Sequence, residues 1–367
     1  MSGRIKGAPP ELASGYDMSA PKLLTLNEDP SLSDVRYETR ADVFGDKTLI
    51  ERAMKRLEGR IHFKVTLDKN NFLPHQSLVK QGALPQPHQL STLEEVSLNF
   101  LECALTDDQF DELKHFLMDN PGILWMELKF PRCSCTESSS GLVKLYEALE
   151  TLENLQDLTL DLNHSGFNFH SDTLKNLSSL IPKLKNLRRF MLDVSQHGFS
   201  NKSIEFLFKN LAAAKKISGI GLNFSESGKI NEFTFDRICE SITKLKNEAT
   251  LFETTQPNKL AAFDSLHEFI LDITYCENIV DETIDGLSEV LGHFKNLQRF
   301  ALHMSNTRCT DASVAGLTRT APSGLRRMEI YAEQCVNMTD EAHQLVKKWG
   351  ESQNGEDVIA TFHRWRA

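Results

Sequence analysis

The sequence predicts an α/β fold, a right-handed solenoid with a parallel sheet on one side and helices on the other. Three observations predict it. Eight segments share one template, in which an apolar anchor is followed three, five and seven residues later by further apolar residues. Their anchors are 30, 32, 32, 30, 49, 31 and 28 residues apart. Between them the apolar spacing changes from period two to the helical period. A strand, a returning helix and a second parallel strand connect with a right-handed crossover.

The strands come first in the argument. They are "LEEVSLNF" (93–100), "ILWMELKF" (123–130), "LQDLTLDL" (155–162), "LRRFMLDV" (187–194), "ISGIGLNF" (217–224), "LHEFILDI" (266–273), "LQRFALHM" (297–304) and "LRRMEIYA" (325–332). Alternation marks each as buried on one face. Helices start at Ser or Thr followed by Asp in "TDDQFDELKHFL" (106–117), "SDTLKNLSSLI" (171–181), "TDASVAGL" (310–317) and "TDEAHQLV" (339–346). A hydroxyl there accepts an orphan N–H of the first turn. No strand–helix unit can bury its apolar face alone, so neighbours must stack.

The flanks read differently. Residues 1–45 carry Pro9, Pro10, Pro21 and Pro30 without sustained periodicity and read as an extended N-terminal arm. "DKTLIERAMKRLEG" (46–59) reads as an amphipathic capping helix stopped by Gly59. The repeats span 60–357, and the 49-residue spacing places an insertion at about 246–263. Residues 358–367 read as a C-terminal cap strand or a tail ending in His363-Arg364-Trp365-Arg366.

The eight registered templates resemble the leucine-rich repeat family, in its ribonuclease-inhibitor-like class. The resemblance implies a horseshoe with the parallel sheet on the concave side and helices on the convex side. Many members carry Asn just after the strand, joining adjacent turns. Here those positions are Leu101, Pro131, Asn163, Ser195, Ser225, Thr274, Ser305 and Glu333, so only Asn163 keeps it. Cys103, Cys133, Cys276 and Cys335 each lie ten residues after their anchor. "CENIVDETIDGL" and "CVNMTDEAHQLV" resemble the cysteine-containing repeats of substrate-recognising F-box proteins. Small and apolar, these cysteines are read as ladder residues rather than nucleophiles.

Composition narrows function. A formal net charge of −10 argues against non-specific binding to nucleic acid or anionic membrane. No stretch approaches the roughly 18 apolar residues of a membrane span. The start lacks the apolar block of a secretory signal, and seven scattered cysteines fit reduced thiols in a cytoplasmic setting. Cys133-Ser134-Cys135 lacks the second pair a zinc site needs, and twelve histidines show no ligand spacing. No phosphate loop, dinucleotide fingerprint or nucleophile elbow occurs. The expectation is a non-enzyme with no metal, cofactor or catalytic residue.

The alternation also names the residues facing away from the core, three per strand. The first column reads Glu95, Trp125, Asp157, Arg189, Gly219, Glu268, Arg299 and Arg327. The middle column reads Ser97, Glu127, Thr159, Met191, Gly221, Ile270, Ala301 and Glu329. The last reads Asn99, Lys129, Asp161, Asp193, Asn223, Asp272, His303 and Tyr331. Met191 to Ala301 form an apolar floor, with an acidic line at Asp161, Asp193 and Asp272. Arg299, Arg327, His303 and Tyr331 form a cationic, aromatic corner, and Trp125 a separate anchor. Apolar floor, charged rim and aromatic anchor match the composition of protein interfaces.

The expected function is therefore a protein-interaction scaffold or adaptor, with a partner protein on the concave sheet and a second contact through the arm. The class resemblance suggests a subunit of a larger cytoplasmic, ciliary or cytoskeletal assembly. Two alternatives stay open: a substrate-recognition subunit of a ubiquitin ligase, and a GTPase regulator. Residues 1–58 do not show the Leu-Pro opening of an F-box, and the chain lacks the acidic C-terminal tail of the GTPase-activating relatives.

Overall fold

The computed structural model describes residues 35–40, 61–70, positions 72, 76–80 and 84, and then 93–135, 140–166, 171–231, 233–238, 240, 241, 243, 263–335, 337–353 and 359–363. All belong to one compact unit, Ser33–Ala367. The capping helix 46–59 and insertion residues 246–262 lie outside the described residues, as does the arm apart from 35–40.

Among the described residues eleven strands form one sheet, every neighbouring pair parallel. In chain order they are β1 Val35–Arg40, β2 Ile61–Asp68, β3 Leu93–Leu101, β5 Trp125–Lys129, β7 Asp157–Asp161, β8 Arg189–Asp193, β9 Gly219–Asn223, β10 Glu268–Asp272, β11 Arg299–His303, β12 Arg327–Tyr331 and β13 Ile359–His363. Two short strands, β4 Ala104–Leu105 and β6 Ser134–Cys135, pair separately. All eight template segments form strands of the large sheet. Two additions sit at its ends. Residues 35–40, assigned from sequence to the arm, form β1 on the edge of β2, and Ile359–His363 extends the sheet beyond β12 as the cap strand.

The helices include α1 Asp107–Met118, α2 Ser140–Glu150, α3 Ser171–Leu180, α4 Asn201–Ala213, α5 Asp281–Gly292, α6 Asp311–Thr320 and α7 Asp340–Ser352, and residues 233–238 are helical too. Thr106, Ser200, Thr310 and Thr339 cap four of them, each hydroxyl accepting a backbone N–H of the first turn. Two of these caps are tied to the neighbouring helix: the Asp281 carboxylate accepts the Thr310 N–H at 2.8 Å, and Asp311 accepts that of Thr339 at 2.8 Å. One acidic residue thus serves its own helix dipole and the next helix's cap.

Helices and strands share one core. Phe110, Leu113 and Leu117 of α1, and Ile284, Leu287 and Leu291 of α5, pack with the inward residues of the strands. Stacking runs along the sheet, Phe100 on Phe130 at 5.3 Å and Phe269 on Phe300 at 6.2 Å. Phe263, the last residue of the insertion, belongs to this core and meets Phe294 edge-on. Close helix approach sets glycine positions: a Cβ on Gly141 would come within 2.3 Å of the Phe110 ring.

The loop after each strand repeats one device. Glu102, Arg132, His164, Gln196, Glu226, Tyr275, Asn306 and Gln334, all nine residues after their anchors, have φ between 51° and 64°. None is glycine. The left-handed kink turns their N–H groups toward the next repeat: Arg132 donates to Asn163 O, Gln196 to Ser225 O, Glu226 to Thr274 O and Tyr275 to Ser305 O, at 2.8–2.9 Å. Ser225, Thr274 and Ser305 therefore accept through their main chain just as Asn163 does, without a side-chain amide.

That strain makes a prediction. Gln334 is exposed with φ 58°. Gln334→Gly should melt at or above wild type, whereas Gln334→Val should lie about 1–2 kcal/mol below the glycine variant. Equal melting temperatures for the two would show that the kink carries no conformational strain.

Candidate functional site

The three outward columns lie on the sheet face opposite the shared core, in strict register from β3 to β12. Their chemistry differs from column to column.

The first column is a chain of ion pairs. Arg189 contacts Asp157 at 3.9 Å and Glu268 at 3.4 Å. It reaches Glu268, two strands away, because Gly219 between them has no side chain; a Cβ there would sit 3.2 Å from Arg189 Cγ and 3.3 Å from Glu268 Oε2. Arg299 donates to Glu268 at 2.6 Å and to Glu329 at 3.2 Å, and Arg327 donates to Glu329 at 2.8 Å. Burial alone would raise the Glu329 carboxyl, but the two arginines hold it below its ordinary value. The cationic corner expected at Arg299 and Arg327 is therefore neutralised. Sequence placed the glutamates on the same face but did not reveal that they reach the guanidinium groups.

The middle column is more enclosed than a solvated sheet face. Met191 is 0 % exposed and Ala301 3 %. Ile270 stays half-buried, between Gly221 and Ala301 on the flanking strands. Met191 belongs to the floor by register, yet it offers no surface. Glu127 is held on this face by Ser97 Oγ at 2.5 Å and Lys129 Nζ at 2.6 Å. Half-buried Trp125 lies on β5, toward the other end of the sheet from Arg327 and Tyr331.

The last column does structural work that the pattern did not reveal. Asp161, Asp193, Asn223 and Asp272 each accept, through Oδ1, the N–H two residues on: Asn163, Ser195, Ser225 and Thr274, at 2.9–3.0 Å. These turns close each strand ahead of the left-handed residue. Asp193 also accepts from Asn223 Nδ2 at 2.8 Å. Asp272 is 7 % and His303 3 % exposed, both more enclosed than a rim position, while Asp161, Asp193 and Tyr331 remain half-buried. The His303 and Tyr331 rings stack at 4.0 Å. Burial raises the Asp161 carboxyl to about 7, with Asp193 adding to it, and burial raises Asp272 to about 6. Asp193 is raised too, by the same desolvation.

Next to the left-handed residue sits the cysteine position. Cys133 Sγ donates to Phe100 O at 2.8 Å, Cys276 to Phe224 O at 3.4 Å and Cys335 to Met304 O at 3.1 Å. Each acceptor is the last apolar residue of the preceding strand segment. His197 fills the same position, its Nε2 2.9 Å from Leu162 O. Cys103, Cys133, Cys276, Cys309 and Cys335 are buried thiols outside any disulfide. Burial pushes the Cys276 thiol up to about 12. Among the described residues no three His, Cys, Asp or Glu side chains are arranged to hold a metal, and no helix is long and apolar enough to cross a membrane.

No family model matches the sequence, and no curated protein matches it either.

Two outcomes follow. Alkylation of the folded protein at pH 8 should leave Cys276 and Cys335 unmodified until unfolding, checked by peptide mass spectrometry; fast labelling of either would contradict the ladder geometry. The second concerns pH. Carboxyls whose folded pKa is raised favour the folded state at low pH and lose that contribution as pH climbs from about 4 through their folded values near 6–7. The Asp161→Asn, Asp193→Asn double variant keeps the turn acceptors, so its advantage in Tm over wild type should grow between pH 5 and 8. A constant Tm difference would contradict the enclosed environment of the pair.

Proposed function

We propose that this chain is a non-enzymatic scaffold or adaptor of the leucine-rich repeat type, curved with its sheet concave, that captures a partner protein on the face of β5–β12. The observation that carries the proposal is the registered face itself: a half-buried Ile270 standing above Gly221 and Ala301, bordered by a neutralised ion-pair column and an acidic column. Apolar centre and polar border is the composition of a protein interface. The ladder cysteines, the kinked loops and the stacked core support the repeat reading, since each recurs at a fixed offset from its anchor. A cytoplasmic assembly, ciliary or cytoskeletal, is the setting proposed for it.

Ile270 gives the test. Its neighbours Phe269 and Leu271 are fully buried in the core, while its own side chain lies on the opposite face. Ile270→Asp should change folding stability by no more than about 1 kcal/mol, near the range for surface substitutions. Desolvated under a partner, the same carboxylate should weaken capture by a hundredfold or more. Leu271→Asp is the matched control and should unfold the repeat. Cross-linking of native complexes, followed by identification of the peptide joined to β10, supplies the partner. An Ile270→Asp protein that melts normally and keeps every cross-linked partner at full affinity would sink the proposal.

A further inference from the structure

At the end of the sheet opposite the left-handed loops, where each helix returns to its strand, the rim carries a ladder of its own. The residue just before an anchor donates its side chain to a main-chain oxygen of the preceding repeat. Asn154 reaches Pro121 O at 3.4 Å, Asn186 reaches Glu153 O at 2.8 Å, Ser265 reaches Lys215 O at 3.2 Å and Asn296 reaches Asp264 O at 2.7 Å. Every acceptor lies two residues before its own anchor and serves through its carbonyl alone. Proline, glutamate, lysine and aspartate all fill that position, so the ladder sets no demand on the side chain there.

In two neighbouring repeats cations take up this freedom. Lys183, Lys185 and Arg188 lead into β8, Lys215 and Lys216 lead into β9, and all five are exposed. Lys185 and Lys215 hold the same ladder position on adjacent repeats. Lys216 stands where its counterparts carry Asn or Ser, and its Nζ donates to Asn186 Oδ1 at 2.7 Å, which draws it toward the cations of β8. Lys183 pairs with Glu150 at 2.8 Å, but among the described residues no ion pair reaches Lys185, Arg188, Lys215 or Lys216. No acidic residue lies between Asp172 and Asp193 or between Glu205 and Glu226, although the chain as a whole has a net charge of −10. The main chain fixes the spacing. Arg188 O accepts the N–H of Ser218 at 2.7 Å and of Gly219 at 3.0 Å, so the two loops sit one strand spacing, about 4.8 Å, apart at the backbone.

We propose that this rim of β8 and β9 docks a short acidic segment of a partner protein, whose carboxylates lie among Lys185, Arg188, Lys215 and Lys216. Complementary charge is the ground for the choice, since like charges held side by side repel until an anion joins them. The borders of the patch select the kind of anion. At the ladder position of Lys185 and Lys215, the repeat of β7 has exposed Glu153 and the repeat of β10 has half-buried Asp264. An anionic membrane surface or a nucleic-acid backbone extends past the cations onto these acids, whereas a few acidic residues fit between them. The rim is separate from the sheet face, so this inference does not rest on that reading and gives the chain a second contact surface.

The test uses the full-length protein and a fluorescein-labelled hexapeptide of alternating Asp and Glu, read by fluorescence anisotropy. The acidic peptide should bind and its Asn/Gln counterpart should not, and affinity should fall about tenfold as salt rises from about 50 to about 300 mM. The Lys185→Glu, Lys215→Glu double variant should lose about tenfold or more in affinity with its circular dichroism unchanged, since both side chains are exposed. A matched control, Lys202→Glu with Lys229→Glu, makes the same change in net charge on exposed residues at the other end of the same two repeats. It should stay within about twofold of wild type. Ile270→Asp should bind the peptide as wild type does, which keeps failure of this proposal distinct from failure of the sheet-face reading. Equal losses in the rim and control variants would reduce the effect to net charge and overturn the proposal. So would an acidic peptide that fails to bind wild type, or tighter binding to phosphatidylserine vesicles or duplex DNA than to the peptide.

Discussion

Parallel pairing in strict register between successive strands is the constraint on which the rest of this structure depends. A strand of five residues flanked by one helix cannot bury its own apolar face, and each gains its core only from the units on either side. Register decides whether Phe100 meets Phe130 and Phe269 meets Phe300, or whether one of each pair points to the opposite face. The same register carries three further ladders: the left-handed N–H groups bonding to the next loop, the thiols bonding to the preceding strand, and the helix caps bonding to the neighbouring Asp. The first two lie at fixed offsets from the apolar anchor, nine and ten residues after it. A slip would break all of them at once, so pairing is specified far more strongly than any single bond requires.

Much of this was legible in the residues. Eight apolar anchors located eight strands, because period-two alternation is imposed by the pleat and buried side chains must obey it. The hydroxyl–acid pairs located helix starts for a local electrostatic reason, so Thr106, Thr310 and Thr339 are caps as their sequence context implies. The cysteine offset was legible for the same cause: a small, weakly donating side chain fits beside a carbonyl. What escaped was whatever depends on a neighbour's conformation. The left-handed residues are Glu, Arg, His, Gln, Tyr and Asn, with no glycine to mark them. The strand β1 lay within a Pro-containing segment whose composition masked six alternating residues.

The candidate face shows the same division. Sequence placed Asp161, Asp193, Ile270, Arg299 and Arg327 on one side of the sheet correctly, since parity alone decides that. It could not tell how far each side chain reaches. Arg299 was read as free charge, but two carboxylates one strand away on either side close on it. Met191, Asp272 and His303 were read as surface, yet they are buried at their positions on the face. Glycine, by contrast, held a signal that parity did not use: Gly219 opens the passage through which Arg189 meets Glu268.

Stability and surface charge are divided between the columns of this face. The ion-pair column joins β7 to β12 through partly exposed side chains, and pairs of that kind contribute little energy apiece. Their effect on the face is to consume its cations. Had Arg189, Arg299 and Arg327 been free, they would have balanced the carboxylates on the far column through the shared field. Pairing them within the first column and with Glu329 of the middle one leaves few cations for the acidic line, four residues away along each strand. The burden falls on the fold, which is more stable with those carboxyls protonated than ionised.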